Sequence, residues 1–406
     1  MKPTKNIPEL RFPGFEGEWE NKKIKDLGEI ITGSTPPTSH LEFYGGDHLF
    51  VSPVDIKDNR YVQNTVTTLT KLGLSKGRLI KKNSAMFVCI GSTIGKIAQT
   101  TRECITNQQI NSIVSKSTND ADFIYSLLEK EAPNIKKLAA EQAVPIINKT
   151  TFSNVSVITP SLPEQQKIAS FLSAADQQLQ LLTQKKEKLE QYKKGIMQLI
   201  FSQQLRFKDE NGQEYPEWEE KRLGEVCRLQ SGFAFRSLDF KKEGIPVIRI
   251  SNISNTKNSI DQDNMVYSDR VKNDENFIID NGKLLIAMSG ATTGKTCVYN
   301  LSEKGYLNQR VGMFIFKSDR SVYEYLVQFV TTYQFENQLK SLLVAGAQPN
   351  ISSKEIESLL IPIPCLTEQQ KIASFHSSID QKINLVNQQI ELTRKWKQGL
   401  LQKMFV

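Results

Sequence analysis

The chain contains one segment twice, and this repeat constrains the possible fold more than any other feature. The eight residues Glu164–Phe171 recur unchanged as Glu368–Phe375, 204 residues later in a chain of 406. The same spacing relates Phe201 to Phe405. An identity of this length does not arise by chance, so we expect the chain to consist of two similar halves.

Upstream of the identical segment the two halves match more loosely. Leu10-Arg11-Phe12 corresponds to Leu205-Arg206-Phe207, and Gly91–Lys96 corresponds to Gly290–Lys295. A chain of 406 residues can form two cores of roughly 150 residues each, with helix to spare. Each half is therefore predicted to be a globular domain followed by a long helix, with shared framework positions and different residues between them.

Both repeated segments open long helical patterns with apolar residues spaced by three and four. Such spacing is typical of a coiled-coil seam. A helix over Glu164–Phe201, at about 1.5 Å per residue, would extend for roughly 57 Å, which is longer than the diameter of the domain that precedes it. The alternative that each apolar stripe packs only on its own domain is therefore less favoured. If the second helix pairs with the first, it must run back along it, which gives an antiparallel pair and a pseudo-two-fold axis. The predicted seam residues are Ile168, Leu172, Ala175, Leu179, Leu182, Leu189, Ile196, Ile372, Ile379, Ile383, Val386, Ile390 and Leu400, and the same rhythm includes Tyr192, Leu199 and Trp396.

Composition narrows the class of protein further. No apolar run approaches the roughly 20 residues that span a bilayer, and the first residues have no apolar segment behind their lysines, so a cytoplasmic protein is expected. The five cysteines occur singly, without the paired spacing of zinc sites, which predicts reduced thiols and no metal. A net charge of +8 suggests a polyanionic partner.

No catalytic motif of the expected kinds is present. Gly290–Thr296 resembles a phosphate-binding loop, but its first glycine is one residue too close to the second. The Thr35–Thr38 stretch lacks the amide and the aromatic residue with which an amino-methyltransferase holds a flipped base. The carboxylates of Glu20 and Glu219 precede Lys22 and Lys221 without the rest of a nuclease site.

The tandem arrangement resembles the specificity subunits of type I restriction-modification systems. The resemblance is carried by the Pro-rich strand exits before each helix, Ile158–Gln165 and Ile361–Gln369, and by the glycine turn in each half. It implies a non-catalytic, prokaryotic protein that binds double-stranded DNA. It also implies two modification (methyltransferase) subunits and restriction (translocase and nuclease) subunits as partners. S-adenosylmethionine, ATP and magnesium are then expected in those partners and no cofactor in this chain.

The predicted fold class is α+β. Two globular α/β target-recognition domains stand in tandem, each followed by a long helix, and the two helices form an antiparallel coiled coil with internal pseudo-two-fold symmetry. The predicted boundaries are 1–160 for the first recognition domain, 161–203 for the first helix, 204–363 for the second recognition domain and 364–406 for the second helix. Two alternatives stay open, a coiled-coil adaptor without DNA binding and the recognition module of a self-contained methyltransferase-nuclease.

Base reading requires polar or basic side chains on loops held by a rigid scaffold. Three loop groups in each half meet this condition. Because the loops differ between the halves, the target is predicted to be split and non-palindromic. Because the paired helices separate the two domains, the length of the spacer between the half-sites is predicted to follow helix length. The candidate DNA-binding residues are Ser34, Thr35, Ser92, Thr93, Lys96, Asn148, Lys149, Thr150, Phe235, Arg236, Thr292, Lys295, Arg310, Asn350, Ser352 and Ser353.

Overall fold

The computed structural model describes residues 6–57, 59–139, 145–254, 259–316, 320–343 and 350–406. It divides into two compact units. The first runs to Lys186 and also takes in Leu385–Val406, while the second is Glu187–Asn384. Each unit therefore contains one globular part together with a portion of both long helices.

In its described residues, the first globular part consists of short strands and four short or medium helices, followed by a long helix. The strands are β1 (Glu20–Lys23), β2 (Gly28–Thr32), β3 (Tyr44–Val51), β4 (Tyr61–Val62), β5 (Thr68–Leu69), β6 (Leu79–Ile80), β7 (Ala85–Val88), β8 (Ile97–Thr100), β9 (Cys104–Thr106), β10 (Ile110–Ser115) and β11 (Ser156–Thr159). The helices are α1 (Ile24–Leu27), α2 (Lys71–Leu74), α3 (Ala121–Lys136), α4 (Lys149–Ser153) and α5 (Leu162–Phe201), and Leu41–Phe43 forms a 3-10 helix.

These strands form two main sheets in the first unit. One has the order β2-β10-β7-β8-β4 and the other β5-β3-β9-β6 among the described residues. Most neighbours are antiparallel, but β3 pairs with β9 and β4 with β8 in parallel. The first and last strands, β1 and β11, pair with each other, so the domain closes where the chain passes into α5.

The second globular part repeats this plan. Its strands are β12 (Glu219–Arg222), β13 (Cys227–Ser231), β14 (Ile245–Ile248), β15 (Ile253–Ser254), β16 (Ser259–Ile260), β17 (Val266–Ser268), β18 (Ile278–Ile279), β19 (Leu284–Ala287), β20 (Thr296–Val298), β21 (Gly305–Leu307), β22 (Val311–Phe316) and β23 (Leu360–Ile363). Its helices are α6 (Leu223–Val226), α7 (Arg320–Phe329), α8 (Tyr333–Leu343), α9 (Ser353–Glu357) and α10 (Leu366–Met404), with 3-10 helices at Ser237–Asp239, Ile250–Asn252, Asp274–Asn276 and Gly290–Thr292.

Among the described residues, the sheet orders of the second unit match those of the first, except that no strand takes the edge position of β4. Its main sheets run β13-β22-β19-β20 and β17-β14-β21-β18 in the described part of the chain. The β14–β21 pair is parallel, as β3–β9 is, and β12 closes on β23 as β1 closes on β11. The prediction of two tandem α/β domains, each followed by a long helix, is confirmed.

Within each unit the two long helices lie side by side in opposite directions. In the first unit, Ile168 and Leu172 near the start of α5 share a core with Leu400 and Met404 at the end of α10. In the second unit, Ile200 near the end of α5 shares a core with residues at the start of α10. Because each core contains the start of one long helix and the end of the other, the two helices run antiparallel. No helix in the described residues is both long and apolar enough to cross a bilayer.

Most of the predicted seam is buried, and the remainder is half-buried. The half-buried members are Leu179, Leu189 and Ile196. Tyr192, Leu199 and Trp396, which share the apolar spacing, have exposed side chains and lie outside the buried seam. The buried position beside Trp396 belongs instead to Lys397, whose ammonium lies 2.5 Å from a carboxylate in the same unit.

That carboxylate is Asp176, and the ion pair is also repeated. Lys397 and Asp176 join the two helices in the first unit, while Lys193 and Asp380 join them in the second at the same 2.5 Å. The first pair is buried and is extended by Arg60, whose guanidinium lies 3.0 Å from the same Asp176. Because all four helical residues obey the 204-residue spacing, the ion pairs are part of the duplicated framework.

Candidate nucleic-acid interface

In the first unit, the connections after β2, β7 and β9 meet at one place. The amide of Gly33, just after β2, donates to the carbonyl of Ile110 at 3.0 Å. The amide of Cys89, just after β7, donates to the carbonyl of Gln109 at 2.7 Å, and Ile147 donates to the carbonyl of Cys89 at 2.8 Å. These bonds bring the three predicted loop groups of this half together.

The second unit forms the same bonds with different residues. The amide of Met288 donates to the carbonyl of Arg310 at 2.9 Å, and Ile351 donates to the carbonyl of Met288 at 2.9 Å. Phe233, which follows β13, donates to the carbonyl of Leu307 at 2.8 Å, as Ser34 donates to the carbonyl of Thr106 at 2.8 Å in the first unit. The loop cluster is therefore a repeated backbone frame, and the predicted groups of the second half also converge.

A glycine is required where the first loop crosses the strand behind it. A Cβ atom at Gly33 would lie 2.0 Å from the carbonyl oxygen of Asn107, and one at Gly232 would lie 2.0 Å from that of Leu307. No side chain can occupy that space, so the close approach of the two chain segments depends on glycine in both units.

The G-x-x-x-G turn is built alike in both units. Gly91 and Gly95 have φ of +92° and +93°, and Gly290 and Gly294 have φ of +74° and +83°, which L side chains rarely adopt. In each turn the amide of the second glycine donates back to the last residue of the preceding strand, β7 or β19. The turn is thereby fixed to the sheet and presents the residues between its glycines at the surface.

The predicted residues of the first two loops in unit one are held by local bonds. The Thr35 hydroxyl donates to the side-chain oxygen of Gln108 at 2.7 Å, and the Ser34 hydroxyl accepts from the amide of Arg78 at 3.0 Å. The Lys96 ammonium donates to a main-chain carbonyl at 3.2 Å and is otherwise exposed. These side chains are positioned by the fold and remain accessible at its surface.

The third loop of unit one begins helix α4. Asn148 is the N-cap of this helix, and its side-chain oxygen accepts from an amide of the first turn at 2.8 Å. Lys149 and Thr150 follow it and are exposed. Ser92 is exposed in the glycine turn and Thr93 is half-buried. Asn148 therefore already has a structural role, because it satisfies an otherwise unpaired amide.

In unit two, the first loop carries larger side chains. The Arg236 guanidinium forms two bonds of 3.0 and 3.1 Å with the carboxylate of Asp239. Phe235 is half-buried and stacks on Tyr306 with 5.7 Å between ring centroids, so it contributes to the core. The Thr292 hydroxyl donates to a main-chain carbonyl at 3.0 Å. Arg236 reaches solvent, whereas Phe235 faces largely inward.

The remaining candidates of unit two surround the third loop. Ser352 is the N-cap of α9 and accepts from an amide of its first turn at 3.3 Å. The Ser353 hydroxyl lies 3.1 Å from another serine hydroxyl at the end of β13. Asn350 and Arg310 are exposed and Lys295 is half-buried. The frame thus presents an amide, a guanidinium and an ammonium on one surface.

The structure places three residues at the candidate site that the sequence analysis did not select. Gln108 and Gln309 follow the repeated asparagine after β9 and β21, and both are exposed. Phe233 is 43% exposed and stacks on the more buried Phe277 at 4.9 Å. The repeated Asn-Gln dipeptide was a signal for the two glutamines, whereas only the structure shows that Phe233 lies at the surface.

The described residues of the site offer hydrogen-bonding groups and positive charge. Burial raises the pKa of the Cys89 thiol to about 12, and that of Cys297 also to about 12, so both stay protonated at neutral pH. The residues that the structure describes contain no group of three or more His, Cys, Asp and Glu side chains suited to a metal ion. Amides, hydroxyls and cations on rigid loops are the groups that read base edges and bind phosphates.

A second repeated feature lies at the start of each long helix. In unit one the buried carboxylate of Glu164 accepts two bonds of 2.8 Å from Arg11 and one of 3.3 Å from the indole of Trp19. In unit two, Glu368 receives the corresponding bonds from an arginine and a tryptophan. Each of these clamps holds the segment before the domain against the helix that leaves it.

A duplicated domain with one frame and two different sets of loop side chains defines a recognition protein with two separate reading surfaces. The model of the type I restriction modification DNA specificity domain matches residues 16–191 and again 215–394. The chain belongs to this family of type I restriction-modification specificity proteins.

Curated relatives agree with this assignment. The MjaVIII specificity subunit of Methanocaldococcus jannaschii is 26% identical over 406 residues, covering 98% of this chain and 94% of the relative. The HindI specificity subunit of Haemophilus influenzae is 34% identical over 148 residues, which is 35% of this chain and 32% of the relative.

Two solved structures share the fold. The S subunit from M. genitalium has a TM-score of 0.60 at 16% identity, covering 98% of this chain and 99% of the other. A chain from a study of complex assembly and conformational transition in the type I restriction-modification system has a TM-score of 0.54 at 18% identity, with the same coverage of 98% and 99%.

Proposed function

We propose that this chain reads DNA sequence for a type I restriction-modification complex and binds an asymmetric target in two parts. The observation that carries the proposal is the repeated backbone frame with different side chains at equivalent positions. Ser34 in the first unit corresponds to Phe233 in the second, because their amides donate equivalent backbone bonds. Gln109 corresponds to Arg310, because their carbonyls accept equivalent bonds from the residue after β7 or β19. Two such surfaces present different donors and acceptors, so the two half-sites must differ.

Within each surface the side chains divide by chemistry. Arg310 has the fork of donors that suits the two acceptors of a guanine edge, and the glutamines and Asn350 suit adenine. Lys96, Lys149 and Lys295 are cations that suit phosphates and add affinity without sequence preference. Asn148 and Ser352, which already cap helices, support the loops more than they read bases.

The catalytic steps then belong to partner subunits. Modification subunits would bind S-adenosylmethionine, and restriction subunits would bind ATP and magnesium. The purified chain alone is expected neither to methylate nor cut DNA nor to hydrolyse ATP. We place it in the prokaryotic cytoplasm, where its DNA substrate is.

Each unit also carries one copy of an apolar surface that suits a modification subunit. In the first unit, exposed Leu10 and Trp396 flank Phe12 and Phe171, and Phe171 lies 5.7 Å from Phe12 and 5.9 Å from Trp396. In the second unit Phe207 lies 5.7 Å from Phe375, and the sequence repeat puts exposed Leu205 and Tyr192 at the positions of Leu10 and Trp396. Two equivalent surfaces suit two copies of one partner.

The DNA proposal is tested by methylome sequencing of a host that carries the chain with its partners. Arg310→Gln, which gives the second unit the residue of the first, should change or relax one base pair in one half-site only. Lys295→Gln should weaken binding to all sequences and lower the slope of log affinity against log salt by about one. Arg222→Gln, an exposed arginine of β12 away from the loops, is the matched control. A palindromic methylation motif would contradict the proposal.

The partner proposal is tested by native mass spectrometry of the reconstituted complex. Trp396→Ala and Tyr192→Ala should each reduce the number of modification subunits from two to one, and the double variant should bind none. Leu360→Ala, an exposed residue of β23 outside both surfaces, should leave the stoichiometry unchanged. Retention of both partners by the double variant would place their docking surface elsewhere.

A further inference from the structure

Each unit exposes a leucine on a short 3-10 helix that follows its first recognition loop. Leu41 belongs to the helix Leu41–Phe43 and is 81% exposed, while Leu238 belongs to the helix Ser237–Asp239 and is 96% exposed. Single exposed leucines are common on protein surfaces. This one occurs twice at the same position of a duplicated fold, in loops that differ before it and share only the leucine, an acid and a phenylalanine.

The surrounding residues hold each leucine outward. The sequence in both units is leucine, acid, phenylalanine, and Phe43 is buried while Phe240 is half-buried. The acid is paired with a base just before the helix, because Glu42 lies 2.8 Å from a histidine nitrogen and Asp239 binds Arg236. The phenylalanine anchors the helix and the side-chain contact of the acid stiffens it, so the leucine is a fixed apolar tip.

The position of the tips favours DNA as their occupant. Leu41 lies six residues after Thr35 in the same connection between strands, and Leu238 lies two residues after Arg236. Both connections begin at the glycine crossing that builds the reading surface. Exposed cations accompany the tips, Lys71 of the helix packed beside Leu41 and Lys242 after Leu238. Each tip also has an exposed acid nearby, Glu42 in the first unit and Glu243 in the second, so it is the position next to the reading loops that favours DNA, whose apolar base faces lie between its charged strands.

We propose that Leu41 and Leu238 are wedges that enter the DNA at one base step beside each half-site and partly unstack it. This inference rests on the proposed function, since it assigns a further role to the same reading surfaces. Proteins that insert leucine or phenylalanine between bases use the resulting bend to bring more DNA into contact. In the second unit the exposed ring of Phe233 enlarges the apolar surface next to Leu238's loop.

The test uses the reconstituted complex with modification subunits and a duplex containing the methylated target. 2-Aminopurine is placed in turn at each position in and beside the half-sites, because its fluorescence rises when a base unstacks. With the wild-type complex, the fluorescence of 2-aminopurine should rise at one position near each half-site. Leu41→Ala should abolish the signal at the first half-site and Leu238→Ala at the second, each with about a tenfold loss of affinity. Leu238→Met, which keeps the apolar length, should retain both.

Val66→Ala and Leu360→Ala remove exposed apolar residues that have no such position and should change neither reading. Unchanged fluorescence and affinity in both leucine variants would overturn the inference while leaving the proposed function intact. Loss of a modification subunit with unchanged DNA reading would assign the tips to a protein partner and would also overturn it. Failure of the wild-type complex to prefer its target would refute the proposed function itself.

Discussion

Removal of Arg206 should destabilise the second unit far more than neutralisation of its partner Glu368. The Glu368 side chain is fully buried, and its oxygens lie 2.7 Å from the guanidinium and 2.8 Å from the indole nitrogen of Trp218. The arginine side chain keeps 19% of its surface in contact with solvent. Arg206→Met therefore leaves a charge that water cannot reach, whereas Glu368→Gln leaves a cation that water can.

The expected magnitudes follow from this difference in burial. A buried charge that loses its partner costs about 3 kcal/mol, so Arg206→Met should lower the free energy of unfolding by about that amount. In a unit of about 200 residues this corresponds to a fall in Tm of about 6 to 12 °C. Glu368→Gln keeps an acceptor for the indole and should cost about 1 kcal/mol. The double variant should resemble Glu368→Gln, because no buried charge remains.

Trp218 is the only tryptophan of the second unit, since the other two of the chain's three, Trp19 and Trp396, belong to the first. In a background with phenylalanine at those two positions, the fluorescence of Trp218 reports unfolding of the second unit in urea. Arg222→Met, which removes an exposed arginine of the same unit, is the control and should cost less than about 0.5 kcal/mol. Equal losses for Arg206→Met and Glu368→Gln, or a loss below about 1 kcal/mol for Arg206→Met, would show that the clamp behaves as an exposed ion pair and would refute the reasoning.

Three further outcomes are expected. Lys397→Met should destabilise the first unit by about 2 kcal/mol in urea titration because the buried Asp176 loses one of its two cations and keeps only Arg60, whereas Lys193→Met, at the half-exposed equivalent, should cost less than about 1 kcal/mol; equal costs would contradict this. Burial lowers the pKa of His376, so the unfolded chain binds the proton more readily and stability should fall as the pH drops below about 6.5; His376→Leu should remove this slope, and an unchanged slope would exclude the histidine as its source. One heptad inserted after Leu182 and one after Val386 should lengthen the unread spacer of the target by about one to three base pairs in a methylome, and an unaltered spacer would show that the helices do not set it.

The duplicated framework was predictable because its residues are the same in both halves. Helices at Leu162–Phe201 and Leu366–Met404 lie within the ranges that the proline-rich exits and the apolar spacing predicted. The sheet order was not predictable, because strands of two to four residues carry too little pattern to reveal a parallel partner far along the chain. The parallel pairing of β4 with β8 is of this kind.

The errors in the helix stripe have a physical cause. Spacing alone places Trp396 on the seam, yet Lys397 is buried beside it because Asp176 and Glu129 lie within 2.5 Å of its ammonium. A pattern of apolar residues does not show which cation will find a buried anion. His376 is the opposite case, a polar residue at a buried seam position, where its nearer ring nitrogen meets Asp380 at 3.2 Å without a well-directed hydrogen bond.

The sequence selected the loops that the structure brings together in each unit, but it did not show which of their side chains support the backbone. Asn148 and Ser352 were selected as polar loop residues, and both prove to cap short helices. The second could have been recognised, since Ser352 is followed three residues later by Glu355, the pattern of a capping box. Exposed Gln108 was missed because polar residues in a loop look alike in sequence, whatever backbone they adopt.

The separation of frame from loops also explains how one fold can serve different targets. The frame depends on glycines at the crossing and the turn and on main-chain bonds, none of which involve the side chains presented at the surface. Substitutions of exposed residues such as Gln108 or Arg310 should change stability by less than about 0.5 kcal/mol, whereas a side chain at Gly33 or Gly232 would meet a carbonyl oxygen at 2.0 Å. The specificity of each half can therefore change without disturbing the fold, and the two halves of one chain, which share the frame and differ at these positions, illustrate such a change.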